Sequence, residues 1–206
     1  MKVIKLKETW DWATNSAFKR SFIILGLFLL TFFSAFFWPL PDQVHVIPVV
    51  DGVIGDFEYP VFHRIGDMGL YVDNDLEFGY FALNSPGSGW VALGFSPTDF
   101  HMGANFLFFS VVDGEMVVSD EYGVSQFVHE SDLVLGGSLD IVDYAGVEDQ
   151  GTVVEFMFRL NSGDDYDTVL EIGKSISIIV AYNEIDDNFQ TKHSKWYKHT
   201  ISILRD

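Results

Sequence analysis

The chain has 206 residues, 20 of them Phe and none Cys, and its 12 Lys and Arg face 30 Asp and Glu for a formal net charge of −18. That length holds one domain with a hydrophobic core plus a short appendage. The lack of cysteine excludes disulfides, thiolate zinc sites, iron–sulfur clusters, covalently attached c-type haem and cysteine nucleophiles, so any metal or cofactor must be held by His, Met or carboxylate; the acidic balance argues against a nucleic-acid partner.

Charge divides the chain into parts. Residues 1–20 carry a net charge of +3, residues 21–40 carry no charged side chain, and residues 41–206 carry −21. The run FIILGLFLLTFFSAFFW over 22–38 is broken only by Gly26, Thr31 and Ser34. About twenty residues of helix cross a bilayer core, so the run is just long enough. Lys19 and Arg20 abut its N-terminal end, which the positive-inside rule keeps in the cytoplasm. A cleaved signal peptide is the competing reading, but its basic region would be long and no small-x-small pair follows the run. The expected organisation is a cytoplasmic basic tail (1–20), a transmembrane signal anchor (21–40), a linker (41–50) and an extracytoplasmic domain (51–206).

From Asp51 onward the hydrophobic pattern alternates. Strands are expected at 76–83, 90–95, 105–112, 115–119, 138–144, 152–160, 175–182 and 197–204. Asp113-Gly114 is a hairpin signal, and Gly87-Ser88-Gly89, Gly136-Gly137 and Ser162-Gly163-Asp164 mark further turns. Short strands without an amphipathic helix predict an all-β domain, an antiparallel β-sandwich. Asp73-Asn74-Asp75 and Asp164-Asp165-Tyr166-Asp167 bring oxygen ligands together, but neither fits an EF-hand loop, and solvated turns are the simpler reading. Arg159, between Phe158 and Leu160, is expected to pair with a carboxylate in the sheet or with an anionic group of a ligand. No phosphate loop, GxSxG elbow or HExxH occurs, so no enzymatic motif is visible.

Several of these residues, in this order, resemble the DOMON domain family. They are Asp51-Gly52-Val53-Ile54, Glu58-Tyr59, the run Gly89-Trp90-Val91-Ala92-Leu93-Gly94-Phe95-Ser96-Pro97, Met102-Gly103-Ala104-Asn105 and Ser119-Asp120-Glu121-Tyr122-Gly123. Asp132 to Gly137, Glu155-Phe156, Arg159-Leu160 and Gly163-Asp164 continue the likeness, which spans nearly all of 51–206. The resemblance implies an immunoglobulin-like sandwich that binds either haem b or a sugar-like ligand, commonly outside the cytoplasm. In the haem-binding branch it implies a methionine after the GW strand and a histidine shortly before the last strand as axial ligands, here Met102 and His193.

A thioether and an imidazole suit haem iron, and filling both axial sites favours electron transfer over oxygen chemistry. Phe100, Phe106 and Phe108 are candidates for apolar cover. Read without the resemblance, Met102 is a gap-filling methionine and His193 a surface histidine. His199, sharing a strand face with Tyr197, Ile201 and Ile203, and His101, which would allow bis-histidine ligation, are the alternative ligands. His129 in Val128-His129-Glu130 matches no metal-ligand spacing. The expected function is a membrane-anchored b-type cytochrome domain, not itself an enzyme, that binds haem b without a covalent link and exchanges single electrons with a membrane or extracellular redox protein. A haem-free carbohydrate or small-ligand module, with Trp90, Trp196 and Tyr182 as stacking platforms, is the alternative.

Overall fold

The computed structural model describes residues 45–203; the 22–38 run and the basic tail lie outside the described residues. Among the described residues no helix is long and apolar enough to cross a membrane. The alternating segments fold into two antiparallel sheets. One contains, in spatial order, β1 (Val61–Ile65), β2 (Met68–Asn74), β3 (Phe78–Ser85), β9 (Thr152–Arg159) and β8 (Ile141–Glu148). The other runs β11 (Lys195–Ser202), β10 (Ser175–Tyr182), β4 (Val91–Phe95), β5 (Asn105–Val112), β6 (Glu115–Tyr122) and β7 (Glu130–Ser131). One helical turn, α1 (Asp132–Leu135), follows β7.

Side-chain alternation decides what each face meets. Leu70, Val72, Phe81, Leu83, Phe156 and Phe158 of the first sheet interlock with Val91, Leu93, Phe95, Leu107, Phe109, Ile178 and Val180 of the second. Phe156 stacks on Phe109 at 4.5 Å and on Phe81 at 5.4 Å, so aromatic packing ties the sheets together. Asp113 (φ 54°) and Gly114 (φ 83°) form the two-residue turn expected of an Asp-Gly hairpin, with Val112 opposite Glu115.

Both outer faces are also covered. On the first sheet the buried Glu155 carboxylate accepts from the backbone N–H groups of Gly52 (2.8 Å) and Val53 (3.0 Å) and from the Tyr59 hydroxyl (2.8 Å), which straps residues 51–59 across Tyr80 and Ala82. On the second sheet β4 is buried on both faces, as is β5 up to Val111. The apolar run NFLFFSVV is therefore a strand buried on both sides. What covers its outer side forms the site.

Candidate functional site

Trp90, Ala92, Phe106, Phe108, Ile179 and Ala181 project from the outer face of the second sheet. Two of these are alanines, and at Gly94 there is no side chain at all: a methyl group there would collide with the Phe106 ring. The small residues keep the floor low, so a flat group can approach the backbone. Three loops rise around this floor and enclose a cavity of about 580 Å³. Small-molecule and cofactor sites fall in the range of roughly 300–1,000 Å³.

The first loop joins β4 to β5. Asp99 pairs with Met102 across a two-residue turn made by Phe100 and His101, with Phe100 in the left-handed region at φ 49°. The Met102 N–H donates to the Asp99 carbonyl (2.9 Å), and the Met102 carbonyl accepts from Thr98 N–H (2.9 Å) and Oγ1 (2.7 Å). The turn is tied to the end of β6, since Gly103 N–H donates to the Gly123 carbonyl and Gly123 N–H to the Ala104 carbonyl, both at 2.8 Å. Any side chain at Gly123 would strike the His101 carbonyl. The result is that Phe100 and His101 line the cavity while Met102 does not line it and is 42% exposed.

The second loop, after β6, contributes Phe127, Val128 and His129. His129 packs on Phe108 at a ring distance of 4.9 Å, and its Nδ1 is hydrogen-bonded to the buried carboxylate of Glu121, whose other oxygen accepts from Ser119 Oγ (2.8 Å). A carboxylate on one imidazole nitrogen fixes the ring and leaves the other nitrogen for a ligand. The third loop, between β10 and β11, contributes Phe189 and Gln190 to His193. Asn183 holds it: its Nδ2 donates to the Lys192 carbonyl (2.9 Å), and its Oδ1 accepts from the N–H groups of Ile185 (3.1 Å) and Asp186 (3.0 Å). Trp90 Nε1 donates to Thr191 Oγ1 (3.2 Å), anchoring the same loop to the floor.

Three histidines thus share the cavity. His101 lies edge-on to Phe106 (5.2 Å) and 5.6 Å from His129, whereas His193 sits against Trp196 (6.4 Å). His101 Nδ1 is buried without a hydrogen-bond partner. Burial, with the nearby His129 and His193, pushes the His101 pKa down to about 4, and burial likewise lowers that of His193. Both are neutral imidazoles at physiological pH, the form that binds a metal. Lys192 lines the cavity and brings a positive charge to it.

Of the expected site residues, the fold brings together His193, Phe100, Phe106, Phe108 and His101. Met102 stands outside the lining. His199 lies opposite Ile178 on the inward face of the second sheet, 5.4 Å from His63 in ring distance, and is not part of the cavity. His129 is the residue the sequence did not single out. Its partner Glu121 lies eight positions earlier, on β6, a spacing that no metal motif uses. Arg159 pairs with Glu77 and lies over the Phe78 ring at 4.9 Å, in the first sheet and away from the cavity.

No protein-family model matches the chain, and no curated protein does. Among solved structures the chain is similar to the cytochrome domain of Myriococcum thermophilum cellobiose dehydrogenase, with a TM-score of 0.46 and 10% identity over 66% of this chain and 74% of that one. It is also similar to the cytochrome b domain of pyranose dehydrogenase from Coprinopsis cinerea, with a TM-score of 0.45 and 12% identity over 65% of this chain and 74% of that one.

Proposed function

We propose that this domain is a b-type cytochrome, taking haem b in the cavity on the outer face of its second sheet and passing single electrons to a membrane or extracellular redox protein. The observation that carries the reading is an apolar cavity floored by Ala92, Ala181, Phe106 and Phe108, into which separate loops bring His101, His129 and His193. The donor set fits the group. The buried, unpartnered Nδ1 of His101 costs free energy as it stands and is relieved by a ligand. Held by the His101 and His193 imidazoles, haem would supply a one-electron couple.

The chain's own residues then have distinct tasks. His193 approaches from the third loop beside Trp196, and His101 comes from the first loop, on the side of His129 and Phe106. This pair takes the place of the Met102 and His193 pair implied by the family resemblance, because His101 and not Met102 lines the cavity. Phe100 and Phe127, ring to ring at 5.3 Å, add apolar surface to the cavity lining. Lys192 offers a cation to a carboxylate at the rim. With no cysteine in the chain, no thioether tethers the cofactor, which should be extractable.

The test is visible spectroscopy of the full chain reconstituted with haem b. Ferrous protein is expected to show the sharp α and β bands of low-spin iron. His193→Ala and His101→Ala should each lose haem or turn it high-spin, while Met102→Leu and His199→Ala keep the wild-type spectrum. Should Met102→Leu change the spectrum and His101→Ala not, ligation passes to Met102 with a higher potential. Failure of wild-type protein to bind haem at all would leave the ligand-binding module in its place.

The proposal extends to location. The 22–38 run and the +3 charge of residues 1–20 support a single uncleaved span with the domain outside the cytoplasm. Protease added to sealed cells should remove the domain and spare the tail. A mature protein beginning near residue 40 would replace the anchor with a cleaved signal.

A further inference from the structure

The second concentration of unusual chemistry lies on the other side of β6 from the cavity. Successive residues of a strand point to opposite faces, so Glu121 turns outward to His129 and Asp120 turns inward. Asp120 is only 3% exposed. Carboxylate oxygens of Asp120, Asp140 and Asp167 lie within 4.8 Å of one another. Asn105, 0% exposed at the start of β5, donates through Nδ2 to Asp167, and Asp132 at the start of α1 is 1% exposed. These residues come from five separate stretches of chain.

An acidic cluster alone would mean little, but this one contains buried oxygens with nothing to bind. Asp120 Oδ1, Asn105 Oδ1 and both oxygens of Asp132 have no hydrogen-bond partner. The one contact that partly satisfies Asp120 is the Asp140 N–H on Oδ2 (3.1 Å). No Lys, Arg or His pairs with any of the five residues among the described salt bridges. A buried carboxylate without a counter-charge is costly, and an orphaned carbonyl oxygen such as that of Asn105 adds to the cost. Burial, and after it the proximity of the acids to one another, raises the pKa values of Asp120, Asp132 and Asp167 together, the response of carboxylates that lack a cation.

We infer that Asp120, Asp140 and Asp167, with the Asn105 amide beside Asp167, form a calcium-binding site, and that Asp132 adds negative charge near it. The donors are all oxygen, with no imidazole or thiol, which selects a hard cation. Calcium takes six to eight oxygens at about 2.4 Å, so oxygens on opposite sides of one ion stand about 4.8 Å apart. Magnesium needs a tighter octahedron, with opposite oxygens only about 4.2 Å apart, which the wider spacing of these carboxylates suits less well. Asp164, three residues before Asp167, is spent on the N–H groups of Ser138 (2.6 Å) and Tyr166 (2.8 Å) and so holds the loop that presents Asp167. The Asp164 to Asp167 stretch is therefore a turn as its sequence reads, with one of its carboxylates directed inward.

Isothermal titration of the EDTA-stripped full chain with CaCl2, and separately with MgCl2, tests the site. One equivalent of calcium should bind, with magnesium at least tenfold weaker, and calcium should raise the melting temperature. Asp120→Asn and Asp167→Asn should each weaken calcium binding at least tenfold. Asp120→Asn should also melt above wild type in EDTA, where it removes a buried acid, and below it in CaCl2, where it removes a ligand. That reversal of sign separates a cation site from a cluster of protonated acids: a shift of the same sign and size in both buffers overturns the inference. Absence of calcium binding by wild type does the same, and needs no variant to fold. Neither arm depends on haem, so calcium binding survives failure of the cytochrome reading, and the reverse holds.

Discussion

His101 owes its place to three backbone facts. Phe100 occupies the left-handed region at φ 49°, Gly103 does so at φ 73°, and Gly123 presents bare backbone to the His101 carbonyl. A bulky residue with positive φ is strained, and strain of this kind costs about 1–3 kcal/mol unless the surroundings enforce it. Gly123→Ala should therefore displace the 99–102 turn: haem affinity should fall at least tenfold in spectroscopic titration, while Ala104, packed in the same loop, tolerates Ala104→Gly with a smaller loss. Equal losses for the two would remove Gly123 from the account. Which of two adjacent residues faces the cavity was not legible in the sequence. The Met102-Gly103-Ala104-Asn105 spacing locates the loop, but a two-residue turn points neighbouring side chains in different directions, and that depends on the φ of Phe100. His129 was hidden for a related reason: what marks it is Glu121, and their meeting is made by the pairing of β6 with β7.

Strands were most legible where alternation is long and turn chemistry explicit. Segments 105–112 and 175–182 match β5 and β10 residue for residue, and β6 continues past the expected 119 to Tyr122. Strands β1 and β2 were missed because Arg64, Gly69, Asp73 and Asn74 interrupt their apolar pattern. Strand β8 begins at Ile141, not at 138, because Ser138 is held in a turn by Asp164 (2.6 Å) and Asp140 (2.8 Å). The hairpin and the third loop make contrasting predictions. Gly114 has open space around it and φ 83°, so Gly114→Val should cost roughly 1–2 kcal/mol in a urea melt from backbone strain alone and leave the haem spectrum unchanged. Asn183→Ala deletes the side chain that holds the 184–192 backbone, and should cost about 1–3 kcal/mol. It should also raise hydrogen exchange across that loop and weaken haem binding, which Gly114→Val should not do.

At the scale of the molecule, strand β6 joins two chemistries: Glu121 serves the cavity on one face, and Asp120 serves the acidic cluster on the other. The sequence announced an acidic region, residues 41–206 with a net charge of −21, but not that some of the acid is inside, because burial follows from the convergence of distant segments. This gives the calcium-free protein a defined pH dependence. Burial and the neighbouring Asp167 push the Asp120 pKa up to about 9, and burial with Asp167 nearby pushes that of Asp132 up to about 7. The folded state then binds protons that the unfolded chain, with ordinary carboxylates, has already released. Stability from these groups is fully present below the unfolded pKa near 4 and is lost as pH rises through the folded values. Between pH 5 and 6.5 the buried histidines act in the opposite sense, since His101, lowered to about 4, resists protonation that the unfolded chain accepts. From pH 7 to 9 His101 and His193 are largely neutral in both states, and the raised carboxylates set the slope. The urea midpoint of EDTA-treated protein should therefore fall across pH 7 to 9, and Asp120→Asn should flatten the fall. Saturating calcium should flatten it as well, because a bound cation keeps the carboxylates ionised at both ends of the range. A midpoint that rises with pH in EDTA would mean that Asp120 is ionised in the folded protein without a cation.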